Sequence, residues 1–196
     1  MGAEQASNYF GITLQHWGFD LRAIGYERHD CFVPYMALRD MGIQAGASVL
    51  DVGCGLGMGS YLFTDCEYYG IDASADMVLK CREVHDPKDR ISSSHFRLAT
   101  PDLIRGSYDW VIAQCIFSVG YKWEEVAPVI ADCLKICRKG FGFTFLTTGL
   151  SGENGLLKSW PIDTRWLPLV FKLGVERWTL RNNFHPKMAA LYLYRG

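Results

Sequence analysis

The sequence predicts an α/β protein built on a mostly parallel sheet. Three observations predict it. Short apolar runs alternate with amphipathic stretches between residues 48 and 146, a glycine-rich turn follows the first run directly, and two late strand-like runs are joined by a short polar link. Alternation of this kind implies strand–helix–strand crossovers and parallel neighbours. Two strands on a short link make an antiparallel hairpin instead.

The elements follow in order. Residues 1–47 are rich in aromatics and mixed charges, among them Tyr9, His16, Trp17, Tyr26, His29 and Tyr35. Residues 32–41 have helical apolar spacing, with Pro34 suited to a first turn and Gly42 to an end. Residues 48–52 read as a buried strand, and 58–66 are compatible with a helix. A second strand is expected over 68–71. A helix over 75–84 follows, N-capped by Ser74. Strands are expected over 93–98, 108–116 and 141–146. An amphipathic helix over 123–137, kinked at Pro128, lies between the last two. After a loop-like stretch, a helix over 164–173 ends at Gly174. Strands over 175–181 and 189–194 form the hairpin.

Composition narrows the function classes. The chain has 196 residues, about half of them hydrophobic, which suits one globular domain. Its net charge of −1 offers no basic excess for a phosphate backbone, so no nucleic-acid partner is expected. Seven cysteines, odd in number and without a CxxC pair, speak against zinc and against a disulfide framework. Buried thiols fit a reducing, cytoplasmic setting. There is no signal-peptide pattern, Ala6 breaks a myristoylation motif, and no apolar run reaches the ~20 residues of a membrane span; no membrane partner is expected.

The chemistry is concentrated in Val49-Leu50-Asp51-Val52-Gly53-Cys54-Gly55-Leu56-Gly57. A strand runs into glycines, which let the backbone turn sharply and approach a ligand. Asp51 inside the strand end would repel a pyrophosphate but accepts hydrogen bonds from an amino-bearing or cationic ligand. A dinucleotide fingerprint would place glycine where Met58 stands, which argues against a nicotinamide enzyme. The second strand ends at Asp72, an acid about 20 residues on that suits a pair of ribose hydroxyls.

These residues resemble the nucleotide-binding motif of the class I, Rossmann-like S-adenosylmethionine-dependent methyltransferases. YYGIDAS is similar to that family's second motif, YDWVIAQCIFSV to its fourth and LKICRKGFGFTFL to its fifth, together covering about residues 47–147. The resemblance implies a doubly wound seven-stranded sheet of order 3-2-1-4-5-7-6, strand 7 antiparallel, with helices on both faces. It also implies S-adenosylmethionine as cofactor and S-adenosylhomocysteine as product. By position, Asp51 would meet the methionine amino group, and Gly53, Cys54 and Gly55 would line methionine and ribose. Asp72 would take the ribose hydroxyls, and Ala73 and Met77 would flank adenine. Gln114 and Cys115 would sit near the methionine and the acceptor. Where many members carry an adenine-binding acid, this chain has Ala99, followed by Thr100.

Residues 1–46 would form a helical, aromatic lid, ahead of a cofactor-binding domain over 47–196. Tyr9, Trp17, Tyr26 and Tyr35 are candidates for the acceptor wall, and His16, His29 and His185 for a general base. The Pro-Cys pair of cytosine-C5 enzymes and the Asp/Asn-Pro-Pro-Tyr/Phe segment of DNA amino-methylases are both absent; the fourth strand ends Gln114-Cys115-Ile116-Phe117. The expected function is methyl transfer to O or N of a small-molecule acceptor. The alternative is a non-catalytic relative that binds the cofactor or a partner.

Overall fold

The structure is a computed structural model that describes residues 2–26, 31–85, 90–93, 106–118, 122–147, 150–151, 158–159 and 167–196. The strands are β1 (Ser48–Val52), β2 (Glu67–Asp72), β3 (Arg90–Ser93), β4 (Tyr108–Gln114), β5 (Cys137–Leu146), β6 (Leu150–Ser151), β7 (Lys158–Ser159), β8 (Arg177–His185) and β9 (Met188–Tyr194). The α-helices are α1 (Gly2–Trp17), α2 (Phe32–Arg39), α3 (Ala75–Val84), α4 (Trp123–Ile136) and α5 (Leu167–Val170). One sheet has the order β3-β2-β1-β4-β5-β9-β8, and β6 and β7 form a separate two-stranded ribbon. Neighbours from β3 to β5 are parallel, while β9 runs antiparallel to both β5 and β8. This is a Rossmann-like α/β fold.

Strand alternation sorts side chains between two cores. Leu50 and Val52 join Val111, Phe141, Phe143 and Leu191 under α4, which contributes Val126, Val129, Ile130 and Cys133. Val49 faces the other way, toward Leu38 of α2 and Val78 and Cys81 of α3. Asp51 shares that second face by the same two-residue period, which is why a carboxylate ends up wholly buried. Helix α2 is fastened at both ends of the layer. Tyr192 Oη of β9 donates to Ala37 O, and Arg181 of β8 pairs with Asp40. On the other side Arg39 donates to Leu62 O and to Asp65.

The capping chemistry expected at α3 is present: Met77 N donates to Ser74 Oγ at 3.3 Å. Helix α4 begins where Lys122 N donates to Glu125 Oε2 at 2.9 Å and continues past Pro128. Its last carbonyls are met by Arg195, whose Nη1 donates to Leu134 O at 2.9 Å.

Several boundaries differ from the sequence expectation. Instead of a helix over 58–66 there is one 3-10 turn, Met58–Tyr61. Gly57 and Gly59 weaken a helix there, and Phe63 is drawn inward against Tyr35 and Tyr68. The third strand pairs with β2 over Arg90–Ser93, ahead of the apolar stretch that marked it, and residues 94–98 lie outside those described. β8 continues to His185, so the hairpin link is only Pro186 and Lys187. Helix α5 covers Leu167–Val170, followed by a 3-10 turn over Phe171–Leu173. Residues 164–166 lie outside the described ones.

Candidate active site

β1, β2, β4 and β5 all end on one edge of the sheet. From β3 the chain crosses to β4 on the far side of β1, so the crevice between the ends of β1 and β4 is the switch point of the sheet. Open α/β sheets hold ligands there.

The glycine turn closes that crevice from below. Gly53 N and Cys54 N both donate to Ile71 O, at 2.8 and 3.0 Å, which ties the turn to β2. Gly53, with φ +74°, has no room for a side chain: a Cβ would stand 2.3 Å from Ile116 Cγ2. Gly59 is different. A Cβ there would lie 2.9 Å from Asp51 Oδ2, Tyr35 Cε1 and Tyr68 Oη alike. This glycine makes space for a cluster.

That cluster is centred on Asp51. Tyr35 Oη of α2 donates to its Oδ2 at 2.7 Å, and Tyr68 Oη of β2 donates to the same oxygen at 2.6 Å. Oδ1 is buried and has no hydrogen-bond partner among the described residues. Burial pushes the carboxyl up to about 7, against the pull of the Tyr68 and Tyr35 hydroxyls and with a further push from the charge of Asp72.

Asp72 ends β2 half-buried. Its Oδ2 accepts from Gly55 N and its Oδ1 from Ser74 N, each at 2.8 Å. Burial raises its pKa, and the backbone N–H groups of Ser74, Gly55 and Ala73 oppose the rise. A carboxylate has about four lone-pair sites, so both oxygens keep capacity for hydroxyl donors.

At the end of β4, Gln114 Nε2 donates to Tyr26 Oη at 2.8 Å and to Cys31 O at 3.2 Å. The Tyr26 hydroxyl faces Cys115 Sγ at 3.8 Å. Cys115 has φ +52°, unusual for a side-chain-bearing residue. Its N–H is shared between Thr144 O and Thr144 Oγ1, at 3.1 and 3.2 Å. Burial raises its thiol pKa, which favours the neutral form. The N-terminal segment thus reaches the crevice at two points. Tyr26 touches β4, and Ile24 lies over Gly55, where a Cβ would stand 3.3 Å from its Cγ2.

The sequence candidates therefore separate. Asp51, Gly53, Cys54, Gly55, Asp72, Ala73, Gln114, Cys115 and Tyr26 gather at the strand ends. Met77 is 1 % exposed and packs in the core beneath α3. Tyr9 and Trp17 lie on α1, where Tyr9 meets Phe10 edge-on and Trp17 lies beneath the Arg22 guanidinium, 3.9 Å from the ring centre. His16 is exposed and edge-on to Trp17. His185 is on the same edge of the sheet, but β8 is three strand spacings from β4, roughly 14 Å. Its Nδ1 accepts from Lys187 N at 3.1 Å. His29, Ala99 and Thr100 lie outside the described residues. Sequence reading missed the link from Tyr35 and Tyr68 to Asp51, and the role of Thr144 beneath Cys115.

The donor set tests which cofactor fits. One wholly buried carboxylate with an oxygen unpartnered among the described residues, and a second with spare acceptor capacity, suit a cationic, hydroxyl-bearing ligand. They would repel a pyrophosphate. Residues 49–140 match the family described as a methyltransferase domain. That match, over a little under half of the chain, supports the resemblance to the class I, Rossmann-like S-adenosylmethionine-dependent methyltransferases. No protein of curated function matches the sequence.

Solved structures repeat this methyltransferase fold at low identity. Magnesium protoporphyrin IX methyltransferase from Synechocystis PCC 6803 with bound S-adenosylhomocysteine is 18% identical, TM-score 0.69, covering 100% of both chains. A TehB-like S-adenosylmethionine-dependent methyltransferase from Corynebacterium glutamicum is 16% identical, TM-score 0.67, over 96% of this chain and 99% of that one. An S-adenosylmethionine-dependent methyltransferase from Aquifex aeolicus is 15% identical, TM-score 0.61, over 82% and 88%. Among the described residues, no helix is long and apolar enough to cross a membrane.

Proposed function

We propose that the protein is an S-adenosylmethionine-dependent methyltransferase that acts on O or N of a small-molecule acceptor. The observation that carries this reading is the pairing of Asp51, whose buried Oδ1 is unpartnered among the described residues, and Asp72 on either side of the glycine turn. Leaving aside the short ribbon β6–β7, we read the sheet as the family arrangement 3-2-1-4-5-7-6. We read residues 1–46 as the cover over a domain of 47–196, with Ile24 and Tyr26 as its points of contact.

When bound, S-adenosylmethionine supplies a methyl group already activated on a sulfonium. Asp51 binds the amino group, and Gly53, Cys54 and Gly55 form the floor that lets the ligand approach the backbone. Asp72 accepts from the ribose hydroxyls. Ala73, Ala99 and Thr100 belong to the adenine side. Gln114 and Cys115, with Tyr26, border the acceptor side. The chain's work is then to orient two reactants and exclude water, and orientation can supply up to roughly 7–11 kcal/mol.

Calorimetric titration with S-adenosylmethionine, S-adenosylhomocysteine and NAD, on wild type and Asp72→Ala, tests the reading. The two sulfur ligands should bind at micromolar strength and NAD should not. Asp72→Ala should lose at least ~1 kcal/mol, the scale of a hydrogen bond to a charged group. Absence of binding by both sulfur ligands would overturn the assignment.

A further inference from the structure

Asp51 is held from two sides by residues outside the glycine motif. We propose that Tyr35 and Tyr68 are positioning residues, which saturate Oδ2 of Asp51 so that Oδ1 is turned toward the ammonium group of the methyl donor. The proposal rests on the cofactor reading above.

Four features of the cluster carry it. Both phenolic donors go to one oxygen, at 2.7 and 2.6 Å, while the other oxygen is buried and unpartnered among the described residues. Buried polar atoms in native proteins are almost always satisfied, so an exception calls for a missing partner. An ammonium has three donors and no acceptor, which complements an open carboxylate oxygen.

The two rings are themselves fixed. Tyr68 stacks on Phe63 with centroids 6.2 Å apart, and Tyr35 meets Phe63 edge-on at 6.5 Å. Phe63 is 1% exposed, so the platform cannot swing. Gly59 supplies the remaining condition, since any Cβ there would displace Oδ2 or a ring. The carboxylate orientation is therefore set by α2, β2 and the glycine turn together.

The same contacts act on its charge. The groups that face Asp51 are Tyr35 from α2, Tyr68 and Asp72 from β2, and Cys54 from the turn. Both tyrosines and Cys54 are held protonated, their pKa values pushed well up by burial and by the charge of Asp51. The two hydroxyls favour the ionised carboxylate, whereas burial and Asp72 oppose it. Losing either hydroxyl raises the pH needed to ionise Asp51.

The test compares two ligands on the intact chain. S-adenosylhomocysteine carries the amino-acid group, and 5′-methylthioadenosine has the same adenosine and thioether without it. Affinities are measured by calorimetry between pH 5.5 and 8.5 for wild type, Tyr35→Phe and Tyr68→Phe, with thermal melts to verify folding. The wild type should prefer S-adenosylhomocysteine, and the preference should shrink as pH falls through about 7. Each variant should lose about tenfold of that preference at pH 7, recover part of it at pH 8.5, and bind 5′-methylthioadenosine within about twofold of wild type. A parallel loss for both ligands, or variants that keep the preference, overturns the positioning role. So does a wild type with no preference for S-adenosylhomocysteine at any pH, a result that needs no variant to fold. If the wild type binds neither ligand, the cofactor reading itself fails first.

Discussion

Replacing Asp51 by asparagine should make the protein more stable and less able to bind its donor. The carboxyl is wholly buried, and its pKa stands at about 7 against an ordinary 3.8. A carboxyl whose folded pKa exceeds its unfolded one destabilises the fold at every pH where the unfolded chain would ionise it. The penalty is absent below pH 3.8, grows as pH rises, and levels off above about 7. At ~1.4 kcal/mol per pKa unit it reaches about 4 kcal/mol at pH 8 and about 1.7 kcal/mol at pH 5. Asparagine removes this titration but leaves amide N–H groups short of acceptors, at about 1–3 kcal/mol. The net gain at pH 8 is about 1–3 kcal/mol, roughly 2–12 °C in melting temperature for a chain of this length. The amide contribution does not depend on pH. Urea unfolding of both proteins at several values from pH 5 to 8 therefore isolates the carboxylate. The variant's advantage should grow by about 2–3 kcal/mol across that range. An advantage that stays flat with pH would refute the reasoning, whichever protein is more stable.

Two further outcomes follow from the geometry. Gly53→Ala forces a side chain onto φ +74° and into Ile116, so it should lose at least ~1–2 kcal/mol in denaturant unfolding, and a neutral result would mean the turn is differently built. Tyr26→Phe removes one of the two acceptors of the Gln114 amide and should cost about 1 kcal/mol; hydrogen exchange should rise over residues 21–26 and leave β1 unchanged.

What the sequence revealed was what neighbouring residues encode together. The glycine turn, Asp51 two residues before it, and Asp72 at the next strand end all belong to one strand–turn–strand unit. The closing hairpin was legible from two apolar runs around a polar link, although pairing runs on to His185. The start of the third strand was not legible, because the apolar signal comes from Phe96 and Leu98, which lie outside the described residues. An edge strand pairs through its backbone, and Arg90 to Ser93 do so without an apolar signature. The partners of Asp51 left no trace of their role. Tyr35 and Tyr68 lie 16 and 17 residues from it, and each reads as an ordinary aromatic of a helix or a strand. Gly59 looked like one more turn glycine, whereas its reason is the space that three side-chain atoms occupy. The Tyr26–Gln114 contact spans 88 residues and depends on how the first 26 residues lie across the sheet.

The clasp between α2 and the hairpin bears on how the chain acquires its shape. Tyr192 reaches back 155 residues to Ala37, and β9 inserts between β5 and β8 rather than adding to the outside. Until β9 has been synthesised, β5 keeps an open edge and α2 lacks the tyrosine that tethers it. Contacts of such long sequence separation form slowly, because a large loop must close before they give anything back. The glycine turn and the first two strands can assemble early from local contacts. The tether at Ala37 is therefore complete only once β9 is in place, whereas Arg39 already holds the same helix to Leu62 and Asp65 from within the first 65 residues.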